Sequence, residues 1–147
     1  MTVKGCAMET RGTLLMVEET PEVAELLRGV LTKAGYRVLV AQTAELGLHI
    51  LAAFLVGAVL TDAIPPVDND GGDRWAALDR LARAAGRAAL VLYTDEPERY
   101  AAYADHGFAA RLAKPLDLDA LVATVGALLP AGPRPSTPRG PAAVGEG

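Results

Sequence analysis

Five times along this chain a short apolar run gives way to a segment with helical spacing, and that rhythm constrains the fold more than any other feature. The first run, LLMV at 14–17, ends in two glutamates and reads as a buried strand. Thr20 and Pro21 then supply an N-cap and a first-turn proline. Val23, Leu26, Leu27, Val30, Leu31 and Ala34 follow at helical spacing, and Gly35 ends the helix. Further strands are expected at 36–41, 58–61, 88–93 and, more weakly, 109–113. Helices are expected at 44–54 behind Thr43, at 75–85 before Gly86, at 97–106 before Gly107, and from Asp117 to about Leu129. Strict alternation of this kind predicts an α/β domain, a doubly wound five-stranded parallel sheet with helices on both faces.

The length of 147 residues suits one domain, and 51% apolar against 22% charged residues can bury a core. A net charge of −4 leaves no basic excess for phosphate backbones, so no direct DNA binding is expected. Cys6 is the one cysteine, which excludes an internal disulfide and suits a reducing compartment. The longest uncharged stretch, LGLHILAAFLVGAVLT, has 16 residues, is divided by Gly57 and falls short of a bilayer span. With no signal-like leader, the expectation is a cytoplasmic protein without a membrane segment. Residues 130–147, PAGPRPSTPRGPAAVGEG, are too rich in proline and glycine for a packed element. The expected division is a flexible segment at 1–12, a domain at 13–129 and a disordered tail at 130–147.

Open parallel sheets bind ligands at the carboxyl ends of their strands. There this sequence sets Glu18 and Glu19 after strand one, Asp62 after strand three, Thr94 after strand four and Lys114 after strand five. Hard oxygen ligands with room for water suit magnesium, which is commonly held by one or two carboxylates plus phosphate. The lysine and the hydroxyl can receive phosphoryl oxygens. By inventory this is a phosphoryl-transfer site.

Four segments, LLMVEE, VLTDAIPP, LVLYT and AKP, stand in an order and spacing that carry a family resemblance. Over about residues 13–129 the chain resembles the receiver domain of two-component response regulators. The resemblance implies the flavodoxin-like (βα)5 fold with strand order 2-1-3-4-5. It implies that Asp62 accepts a phosphoryl group from a histidine kinase or phosphotransfer protein. Glu18, Glu19, Asp62 and the backbone carbonyl of Ile64 would surround Mg2+, while Thr94 and Lys114 would meet the phosphoryl group. It further implies a cis peptide between Lys114 and Pro115. A switching face for a downstream protein partner would lie on the fourth helix, fifth strand and fifth helix. Such a domain is a signalling switch and not an enzyme, and no output domain is expected to fit after Leu129.

The sequence departs from the family pattern in four places. The acidic pair is Glu-Glu, whose extra methylenes move both carboxylates. Asp95 follows Thr94 where a small residue is usual; it either repels incoming phosphate or points to solvent and helps cap the helix at Pro97. Arg111 replaces the switch aromatic three residues before the lysine and is expected to stay exposed; it could mark a partner face with Tyr100 and Tyr103, while the simpler reading has the tyrosines packing along a helix flank. The loop after Asp62 is longer by one residue and carries Asp68 and Asp70, most simply a solvated turn.

Phe54, Leu55 and Val56 form an apolar patch where charged or polar residues are usual, either a candidate for homodimer contact or a loop tucked under a neighbouring helix. His49 and His106 lack catalytic partners in the sequence, and Trp75 is expected as partial core. The main alternative is a degenerate receiver-like interaction module that works without phosphorylation. A haloacid-dehalogenase-type phosphatase would need a second Asp where Ile64 stands. A flavodoxin would not place two glutamates in its phosphate loop.

Overall fold

The structure, a computed structural model, describes residues 12–64 and 73–129. Cys6, Asp68, Asp70 and the tail 130–147 lie outside the described residues, as does the N-terminal segment before Gly12. Five strands, β1 (Thr13–Val17), β2 (Arg37–Ala41), β3 (Ala58–Asp62), β4 (Ala89–Thr94) and β5 (Ala110–Ala113), form one parallel sheet in the order β2-β1-β3-β4-β5. The helices are α1 (Pro21–Lys33), α2 (Ala44–Ala53), α3 (Ala76–Ala85) and α4 (Leu118–Leu128). A 3₁₀ segment, Pro97–His106, occupies the fourth crossover. The expected doubly wound fold and strand order are therefore what the chain adopts.

The period of two along each strand sends alternate side chains to opposite faces. On one face Leu14 and Met16 of β1 pack with Val91 and Tyr93 of β4 against Ala24, Leu27 and Leu31 of α1 and Leu121 and Val125 of α4. On the other, Leu15, Val17, Val59, Leu90 and Leu92 meet Leu78 and Leu81 of α3, with Trp75, Tyr100 and Phe108 at the margin. Gly47 lets α2 approach β1, because a Cβ there would stand 3.1 Å from Val17 Cγ2 and 3.3 Å from Leu81 Cδ2. Leu26 falls off the buried stripe of α1 and is 56% exposed, since the face is centred on Ala24, Leu27 and Leu31.

Capping follows the sequence in two of three cases. Thr43 Oγ1 accepts from Leu46 N at 3.1 Å, and Asp117 accepts from the amides of Asp119 and Ala120. Thr20 holds the capping position of α1 without a side-chain cap, and its own amide donates to Glu18 Oε2 at 3.0 Å.

The fourth crossover departs from the expected α-helix, with Tyr100 and Ala102 outside helical backbone angles. Tyr100, Tyr103 and His106 are spaced by three, the repeat of a 3₁₀ turn. Trp75 packs against the segment, its ring 5.2 Å from the Tyr100 ring and stacked at 3.9 Å on His106. Gly107, at φ +89°, ends the segment in the left-handed conformation.

Candidate functional site

Parallel register brings the ends of β1, β3, β4 and β5 to one edge of the sheet. Asp62 pairs with Tyr93, and Thr94 with Ala113, so Asp62, Thr94 and Lys114 emerge side by side. A cavity of about 300 Å³ opens there, lined by Glu19, Asp62, Thr94, Asp95, Tyr100 and Lys114 among others. A second cavity shares Glu19, Asp62 and Ala63 with it and extends to Gln42 and Ile64.

Lys114 Nζ lies 2.9 Å from Asp62 Oδ1, with both side chains partly open to solvent. Burial pushes the Asp62 carboxyl above the ordinary carboxylate range; Lys114 pulls against this, and the nearby Glu18 adds to the rise. Thr94 is buried, and its Oγ1 accepts from Glu96 N at 3.0 Å, tying it to the following turn. The Lys114–Pro115 peptide is cis, as the resemblance implies.

The two glutamates part company. Glu19 is exposed and lines both cavities. Glu18 is only 2% exposed and lines neither of these cavities. Its Oε1 accepts from the Tyr93 hydroxyl, and its Oε2 from Thr20 N. Burial, then the hydrogen bond and charge of Glu18, hold the Tyr93 phenol far above its ordinary range, so it is a hydrogen-bond donor. Tyr93 is a residue that sequence reasoning missed; a bulky polar tip just before Thr94, in a strand otherwise apolar, was the available signal.

Arg111 lies elsewhere than expected, and Tyr100 packs. Arg111 is half-buried, donates from Nη1 to the Pro97 carbonyl at 2.9 Å and lies 5.1 Å over the Tyr103 ring. It stays out of the core by finding a carbonyl and a ring face at the sheet edge. Tyr100 is 4% exposed and faces Trp75, so it offers little to a partner. His106 Nδ1 lies 2.8 Å from Asp79 Oδ1, a partner from α3 that sequence distance had hidden.

Solved structures put this arrangement in context. The chain superposes on the receiver domain of a Francisella response regulator with a TM-score of 0.68 at 18% identity, covering 80% of this chain and 96% of that one. It folds as a receiver domain. A two-component response regulator from Clostridium difficile matches at 22% identity and TM-score 0.68, over 80% and 94% of the two chains. A CheY-like receiver domain protein from Methanospirillum hungatei gives 18% and 0.67, over 80% and 92%. No family model matches the chain, and no curated protein matches it.

The resemblance carried by the sequence implies Mg2+, so the donor set matters. Glu19 and Asp62 line both cavities and Ile64 lines the second, a donor set that fits a cation held by one or two carboxylates with water and phosphate completing the shell. Among the described residues no three His, Cys, Asp or Glu side chains gather closely enough to enclose a metal ion. No helix among them is long and apolar enough to cross a membrane.

Proposed function

We propose that this chain is a phosphoacceptor receiver of a two-component phosphorelay, taking a phosphoryl group on Asp62 from a histidine kinase or phosphotransfer protein. The observation that carries this reading is the Lys114–Asp62 contact at 2.9 Å inside the cavity that Thr94 also lines. An Asp62 oxygen attacks the phosphohistidine phosphorus, the P–N bond breaks, and the imidazole leaves with its electron pair and gains a proton. The product is an acyl phosphate on Asp62. Lys114 then moves its contact to the phosphoryl oxygens, and the Thr94 hydroxyl, released from the Glu96 amide, donates to another. Glu19, Asp62 and the Ile64 carbonyl would hold Mg2+, with Glu18 buried and engaged by Tyr93 and Thr20. When bound, the ion neutralises charge on the phosphoryl oxygens. Asp95, exposed at the cavity mouth, disfavours small anionic donors relative to a docked protein donor.

Release of Thr94 loosens the turn into the 3₁₀ segment, and Arg111 bridges that segment to β5. These two contacts support a switching face there for a downstream protein partner. The test is intact mass after mixing with phosphohistidine donors and with a small phosphodonor, with and without Mg2+. A magnesium-dependent adduct of one phosphoryl group is expected, absent in Asp62→Ala. A lack of adduct from every donor would leave the second reading, an interaction module that works without phosphorylation, which the engagement of Glu18 by Tyr93 favours.

Self-association belongs to the same proposal. Leu55 is 97% and Phe54 51% exposed, a patch suited to a second copy. Sedimentation should show a dimer that Leu55→Ser dissolves; a monomer at high concentration sinks the idea.

A further inference from the structure

Glu18 and Tyr93 are 75 residues apart in sequence and meet across the end of the sheet, with β3 lying between their strands. Tyr93 is fully buried at the end of the α1 and α4 layer. Its ring is fixed on one side by Lys114, whose Nζ lies 5.4 Å from the ring centroid while also contacting Asp62. Its hydroxyl meets one Glu18 oxygen as the Thr20 amide meets the other. A carboxyl group with both oxygens engaged and almost no exposure has little to gain by turning toward a cation. Phenylalanine at position 93 would fill the same volume but leave Glu18 Oε1 buried without that donor, and an unsatisfied buried carboxylate seeks another partner. A divalent ion held at Glu19 and Asp62 in the neighbouring cavity would be one.

We propose that Tyr93 is a positioning residue that holds Glu18 out of the cation site, so that Glu19 and Asp62 are the carboxylates presented to a divalent ion and the site binds Mg2+ weakly. The inference rests on reading the cleft as a divalent-cation and phosphoryl site. Because Lys114 touches both Tyr93 and Asp62, the same residue links the withheld glutamate to the acceptor.

The test is calorimetric titration of MgCl2 into the full chain, unphosphorylated, as wild type, Tyr93→Phe and Tyr93→Phe/Glu18→Gln. Freeing Glu18 should tighten Mg2+ binding about tenfold, the scale on which partners of metal ligands act. The gain should vanish in the double variant. Equal or weaker binding in Tyr93→Phe, no binding in either protein, or a gain that survives Glu18→Gln overturns the proposal. A packing role alone would lower the unfolding midpoint without this pattern. Should Tyr93→Phe fail to fold, carboxyl carbon shifts in the wild type decide. Mg2+ should move Glu19 Cδ and Asp62 Cγ and leave Glu18 Cδ in place; Glu18 moving together with Glu19 refutes the lock. Phosphoryl transfer is read separately. Wild type with the expected Mg2+ pattern but no adduct on Asp62 removes the phosphoacceptor reading and leaves this one standing, and a normal adduct with unchanged Mg2+ binding in Tyr93→Phe does the reverse.

Discussion

Asp62 carries opposing influences: burial and Glu18 favour its protonated form, Lys114 the ionised one, and the balance lies with burial. In an unfolded chain an aspartate titrates near ~3.9. Between that value and the raised native one the folded state binds the extra proton, so stability falls as pH rises through this window. Ionised Asp62 thus lowers stability at neutral pH in metal-free buffer. Asp62→Asn should raise the thermal midpoint there, and its advantage should shrink to nothing as pH falls through about 4. Thermal melts across that range check it, and an advantage independent of pH would refute it. Arg111 shows the limit of reasoning one residue at a time. Its charge correctly kept it from the core, but the carbonyl of Pro97 and the ring of Tyr103 that hold it were not visible from its own position.

At the scale of elements, caps and spacing determine most of what is seen. Asp117 satisfies two amides of α4, so Asp117→Ala should cost about 1 kcal/mol in urea unfolding. The 3₁₀ segment depends on tertiary contacts: Trp75 against Tyr100 and His106, the Thr94 bond to Glu96, and the Arg111 bond to Pro97. Removing the last with Arg111→Ala should speed amide exchange in residues 99–103 by about tenfold, matching a contact worth roughly 1 to 1.5 kcal/mol. Exchange in α3 should stay unchanged, and equal acceleration in both would mean global destabilisation. Every strand was legible to within one or two residues, because an apolar run bounded by turn formers has few alternatives. The 3₁₀ pitch was not, although the triplet spacing of Tyr100, Tyr103 and His106 was present in the sequence.

For the whole molecule, two apolar layers on one sheet decide where substitutions are felt. Leu31 is fully buried under the sheet, and Leu31→Ala should lose about 2–5 kcal/mol in chemical unfolding. Leu55→Ser, at a residue 97% exposed, should stay within about 0.5 kcal/mol for the monomer. The alternation of strand and helix patterns by itself determined a parallel, doubly wound sheet. Parallel strands share one carboxyl end, so it also determined that Asp62, Thr94 and Lys114 meet there. What only the tertiary structure decided is which acidic side chain faces the cavity. Glu18 and Glu19 are neighbours just past the end of β1, yet Glu18 is buried against Tyr93 while Glu19 is exposed and lines both cavities. Whether the turned-away glutamate finds a donor depends on the residue two strands across, and that pairing is set by register and packing between distant segments.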